Sequence, residues 1–177
     1  MADSRFDPEV LARVGHGAIE VDLPEHPPLM VMIAGPIKHW WGPGNWGTPE
    51  HVAYQTWRDA VVALVVGEGH LAYCAHTAWR GAWTEVAQAV NDAAVRSSHV
   101  LLDLTPDGIP ADGTASEVAL ARESHTIVVP VPPGGADELS RLAGLLRAQA
   151  DANLHLDALS EQLGDGFRGL VRTATAP

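Results

Sequence analysis

Four short runs of almost wholly apolar residues, at 29–34, 70–75, 100–104 and 126–131, are separated by stretches of helical periodicity. This alternation limits the folds open to the chain more than any other feature. A strand apolar at nearly every position is buried on both faces, whereas a one-sided sheet shows apolar and polar residues in turn. Each gap is long enough to hold a helix, the connection that lets successive strands lie parallel. The expectation is an α/β protein with a central parallel sheet covered by helices on both faces.

The gaps carry helix signals of their own. Thr48-Pro49-Glu50 combines an N-cap, a proline at the first helical position and an acidic first turn, and opens a helix reaching about residue 67 with Val52, Trp57, Val61 and Leu64 facing the sheet. A second helix is expected over 79–96, with Trp83, Val86, Val90 and Ala94 inside, and a third begins near Thr114. Two C-terminal helices are expected at 136–150 and 155–164. Residues 1–28 read as a polar N-terminal extension, 29–172 as the domain and 173–177 as a frayed tail.

Composition narrows the partners. With 177 residues and 46% hydrophobic content the chain can bury the core of a single domain. The formal net charge of -11 and the lack of a Lys/Arg cluster argue against duplex nucleic acid, which is bound by neutralising runs of phosphates. The single cysteine, Cys74, excludes an intrachain disulfide framework. No basic region followed by an apolar stretch opens the sequence, and no apolar run approaches the roughly 18 residues that span a bilayer. A soluble, cytoplasmic protein without a membrane partner is expected.

In parallel sheets ligands bind beyond the carboxyl ends of the strands. That rule gathers residues 35–46, 76–80, 105–117 and 130–135 onto one rim. Within it, Asp112-Gly113-Thr114-Ala115-Ser116-Glu117 leads from a loop into a helix. A carboxylate delivered to the first turn meets unpaired N–H groups and the positive end of the helix dipole, so Glu117 reads as an ionised nucleophile. The same letters also read as a capping box, Thr114 being the N-cap and Glu117 its partner. Asp92 lies on one helical stripe with Glu85 and Gln88, and an ordinary surface pair with Arg96 would account for it. The loop after the first strand carries Trp40, Trp41 and Trp46 among glycines and prolines. Such rings suit stacking on a planar heterocycle, and equally a lid or a subunit contact. Lys38 stands where a phosphate or carboxylate could sit.

Other chemistries lack their patterns. His39, His70 and His76 show no metal-ligand spacing, no serine lies in a nucleophile-elbow sequence, and Gly35 begins neither a dinucleotide fingerprint nor a P-loop. No metal and no cofactor is expected.

Taken together, Met32-Ile33-Ala34-Gly35-Pro36, Asn91-Asp92, Ser98-His99-Val100-Leu101-Leu102-Asp103-Leu104 and Gly113-Thr114-Ala115-Ser116-Glu117 resemble the nucleoside 2-deoxyribosyltransferase family and its nucleotide N-glycosidase relatives. The resemblance covers about residues 29–145. It implies a single flavodoxin/Rossmann-like domain in which Glu117 attacks the anomeric carbon of a nucleoside and forms a glycosyl ester. Asp92 is then similar to the family carboxylate that handles the proton of the departing base, and Asp112 to the acidic residue that orients sugar or base. Gly35, Pro36, Ile37, Lys38, Trp40, Trp41, His76, Gly113 and Thr114 are expected to line the substrate. Lys38 and Ser140 resemble the groups that hold a 5′-phosphate, the serine coming from a neighbouring subunit, which implies a homodimer or higher homo-oligomer.

These roles match the chemistry, because breaking an N-glycosidic bond builds positive charge on the sugar and negative charge on the base. The expected function is hydrolytic release of the base from a nucleoside or nucleoside 5′-monophosphate. Transfer of the sugar to a second base, a nucleotide-binding module without turnover, and an interaction protein using its tryptophans as an interface stand beside it.

Overall fold

In a computed structural model, residues 27–36, 44–75, 84–109 and 111–174 are described, with side chains to residue 155. They form β1 (Met30–Ala34), α1 (Pro49–Gly67), β2 (Leu71–Cys74), α2 (Glu85–Ser97), β3 (Val100–Asp103), α3 (Asp112–Glu123), β4 (Ile127–Pro130) and α4 (Ala136–Ala174). The four strands make one all-parallel sheet in the order β2-β1-β3-β4. This is the α/β arrangement with a parallel sheet expected from the apolar runs, and it is flavodoxin-like, as the resemblance implies. No helix among the described residues is long and apolar enough to cross a membrane.

Alternation along the strands sorts the core into two layers. Val31, Ile33, Val100 and Leu102 point to one face, where they meet Tyr54, Trp57, Val61 and Val65 of α1 and Leu142, Leu146 and Ala150 of α4. Met32, Ala34 and Leu101 point to the other, against Ala94 and Val95 of α2 and Ala121 of α3. Each large aliphatic side chain among them taken fully from water contributes about 1.5–3 kcal/mol, and the inner strands β1 and β3 carry half of the largest fully buried ones among the described residues.

α1 begins as its sequence requires. The Thr48 hydroxyl accepts from the His51 N–H at 3.3 Å, Pro49 follows at the first helical position, and Glu50 supplies the acidic first turn. Its inner stripe is Tyr54, Trp57, Val61 and Val65, with Leu64 packed at the margin; Val52, expected inside, is exposed. β1 is anchored at its start by two histidines, as Leu29 N–H donates to His70 Nδ1 and Met30 N–H to His99 Nδ1.

α2 departs from expectation in phase. Val86 and Val90 are 66% and 46% exposed, while Ala87, Asn91, Ala94 and Val95 face the sheet. The helix turns this way because small residues let it lie close to α3 and Asn91 finds a polar partner there. The two expected C-terminal helices are one continuous α4, running through residue 174 into the stretch expected to be a frayed tail.

Candidate active site

The sheet order reverses between β1 and β3, since the chain moves to β2 on one side of β1 and then to β3 on the other. The carboxyl ends of those two strands therefore border the crevice where such folds bind ligands. Gly35 leaves β1 on one side and Asp103 ends β3 on the other. A Cβ on Gly35 would lie 1.8 Å from Tyr54 Oη, so only glycine lets the Tyr54 phenol reach the exit of β1. Pro36 is buried beside it. Burial pushes the Tyr54 phenol far above its usual range, and the negative charges of Asp103 and Glu117 add to the effect.

α3 starts at Asp112, with Ala111 in the N-cap position and no side-chain cap. Thr114 is thus the third helical residue and its buried Oγ1 has no hydrogen-bond partner, so the capping-box reading of Thr114 and Glu117 does not hold. Glu117 lies in the second turn and reaches across to α2, where Asn91 Nδ2 donates to its Oε1 at 2.7 Å.

The expectation that the helix start keeps Glu117 ionised is also overturned. Its pKa rises from 4.5 to about 7, first because burial penalises the charge and then because Asp92 and Asp103 repel it; the Asn91 hydrogen bond pulls the other way. A dipole effect that fades within the first turn does not offset the burial. Near neutral pH the carboxyl is therefore present in both forms.

The groups around Glu117 come from separate elements. Asp103 shares a strand face with Leu101, toward α2 and α3, and its Oδ1 accepts from the Thr105 N–H at 3.0 Å. Tyr73 of β2 stands on the same face, its phenol raised by burial and then by Glu117, and its buried Oη has no partner. Asp92 is partly buried and accepts from Gln88 Nε2 at 2.7 Å, one turn back on α2, instead of pairing with Arg96.

The remaining expected residues are spread more widely. Asp112 and Gly113 are exposed at the start of α3, and a Cβ on Gly113 would meet nothing, so packing does not dictate glycine there. Ser140 is exposed on α4, a helix of the opposite layer. Ile37, Lys38, Trp40, Trp41 and His76 lie outside the described residues, while Trp46 is exposed and its ring sits 4.6 Å from that of His51. Asn91 and Asp103, which lie in segments that carry the resemblance, and Tyr73 and Tyr54 have no role assigned from the sequence. Asp103 had a signal, a carboxylate closing an apolar strand at the ligand-binding end. Asn91 had one too, a polar residue in register with Ala87 and Ala94.

Among the described residues no three His, Cys, Asp or Glu side chains are grouped to hold a metal ion. No family model and no curated protein matches the sequence.

Proposed function

We propose that the protein releases the base from a nucleoside or nucleoside 5′-monophosphate by a retaining mechanism through Glu117. The observation that carries this reading is the placement of the Glu117 carboxyl, held through one oxygen by Asn91 and set between α2 and α3 beside the crevice. A nucleophile at an anomeric carbon needs an ionised carboxylate with one oxygen free, and this arrangement leaves the other oxygen of Glu117 available. The resemblance to the nucleoside 2-deoxyribosyltransferase family points to the same residue.

In the proposed reaction a Glu117 oxygen bonds to C1′ as the C1′–N bond breaks, its electron pair leaving with the base. Asp92 gives the base its proton. Water then attacks C1′, Asp92 recovers a proton from it, and the ester bond breaks to restore the Glu117 carboxylate. Asp112, at the mouth of the site, is assigned to orienting the substrate.

Ser140 stands on a helix packed against the far face of the sheet from Glu117, which favours its serving the site of a second copy over its own. The proposal therefore includes a homo-oligomer, with Lys38 and a second copy's Ser140 directed at a 5′-phosphate, acting on cytoplasmic nucleotide pools.

Chromatography of the protein incubated with ribo- and deoxyribonucleosides and their 5′-monophosphates, beside Glu117→Ala, tests the reading. Base released by the parent and not the variant supports it. Release that appears only when a second free base is added assigns the transferase reaction instead. No release with or without acceptor overturns both.

A further inference from the structure

Asn91 is 1% exposed on the inner face of α2, and its Nδ2 is committed to Glu117 Oε1. Because the amide is planar, that bond also fixes its oxygen, which hangs from the same carbon. Asn91 Oδ1 is buried and has no hydrogen-bond partner. Folded proteins hold few such carbonyls, since a buried acceptor without a donor keeps its full desolvation cost.

Thr114 presents a second case. It is 3% exposed and three residues before Glu117 on α3, hence on the same side of that helix. Hydroxyls in or at the ends of helices usually return a bond to the carbonyl four residues back, and Thr56, Ser98, Ser116 and Ser124 do so here. Thr114, at the third helical position, has no carbonyl of α3 four residues back to accept such a bond, and its buried Oγ1 has no partner. Two facing helices thus each bring one orphaned polar atom to the neighbourhood of a single carboxylate. One of these atoms can only accept, and the other can accept or donate.

On the reading that Glu117 attacks an anomeric carbon, the nearest hydroxyl a substrate can bring is the one on the adjacent carbon. In a β-ribonucleoside it lies on the face of the sugar opposite the base, which is the face a nucleophile that displaces the base must approach. We propose that Asn91 Oδ1 accepts a hydrogen bond from the substrate's 2′-hydroxyl, with the Thr114 hydroxyl as a second partner, so that the substrates are ribosides and not 2′-deoxyribosides. Hydrogen bonds to this position strengthen as positive charge builds on the sugar, so the contact assists the reaction as well as binding. An electron-withdrawing 2′-hydroxyl slows glycosidic cleavage in the absence of recognition. A preference for ribosides therefore reports a contact and not intrinsic reactivity.

The inference rests on the glycosidic reading, and the test separates the two. kcat/KM for base release is measured on matched ribosides and 2′-deoxyribosides carrying one base, as nucleosides and as 5′-monophosphates, with the parent, Asn91→Ala and Thr114→Val. The readout is the ratio between the two sugars within each protein, which cancels any loss from a less firmly held Glu117. The parent is expected to favour the riboside by about tenfold or more, and Asn91→Ala to reduce this to about threefold or less. Thr114→Val, nearly isosteric, is expected to lower the ratio partway and supplies the answer if Asn91→Ala fails to fold. Equal rates or a deoxyriboside preference in the parent, or an undiminished preference in the variants, overturns the inference and leaves glycosidic cleavage standing. Release from neither sugar overturns the cleavage reading and this inference with it.

Discussion

Glu117 sets two opposed pH dependences at the scale of one residue. Below about pH 4.5 its carboxyl is protonated folded or unfolded and contributes nothing. Between there and about 7 the folded chain keeps a proton that the unfolded chain has released, so stability falls as pH rises and the loss is complete above 7. The expected size is on the order of 1–3 kcal/mol. Glu117→Gln keeps an acceptor for Asn91 and removes the charge, so its melting temperature should exceed the parent's near pH 8, with the difference shrinking several-fold near pH 5. Equal differences at both would mean that the carboxyl ionises as it does in water. Base release has the opposite slope, rising with pH through about 7 as the nucleophile ionises, before any basic limb sets in. Gly35 makes a steric prediction. Gly35→Ala drives a methyl into the Tyr54 phenol and should cost about 1–3 kcal/mol in denaturant unfolding, part of which Tyr54→Phe restores by removing the oxygen 1.8 Å away. A double variant no more stable than Gly35→Ala alone would show that the clash is relieved elsewhere.

Among the elements, α2 tests the assignment of helix faces. Val86→Ser, on the outward face, should change stability by less than about 0.5 kcal/mol, whereas Ala87→Asp, at a position 1% exposed, should cost several times that in the same unfolding assay. The reverse ranking would restore the face expected from hydrophobicity. That expectation failed for a physical reason. Apolar periodicity finds the buried stripe only when the stripe is apolar, and here the inner face is made of small residues and an asparagine paired with Glu117, leaving the two valines outside. α1 was legible down to its cap because Thr48, Pro49 and Glu50 specify one boundary, and its face was legible in part, since Trp57 and Val61 are buried as expected while Val52 is exposed and Tyr54 and Val65 complete the inner stripe. α3 was legible in place and not in detail, since its start two residues before Thr114 turns a capping threonine into a buried one and carries Glu117 out of the first turn. The nucleophile candidate was thus visible in the sequence, while the asparagine that holds it and the burial that raises its pKa arise only when α2 and α3 pack.

For the whole molecule, the parallel sheet was the most legible feature, because apolar runs joined by helix-length gaps admit few other arrangements. The strand order also ranks local stability. β1 and β3 are inner strands with Val31, Met32, Val100 and Leu101 fully buried, whereas β2 and β4 carry exposed Leu71 and Ile127 at the edges. Hydrogen exchange should therefore find the slowest amides in β1 and β3, opening only with global unfolding, and faster ones in β2 and β4. Uniform protection across the sheet would contradict that ranking. The same order bears on how the chain is made on the ribosome. β2 meets β1 after a separation of 41 residues, from Leu29 to His70, but β3 meets it only after 69, from Met30 to His99. At about 5–20 residues per second, the β3 side of β1 waits roughly 3–14 seconds for its partner to be synthesised. Throughout that interval the nascent chain presents an apolar strand edge, the element most prone to pair with the wrong neighbour, so messages read slowly between the codons for β2 and β3 leave more of the product in aggregates.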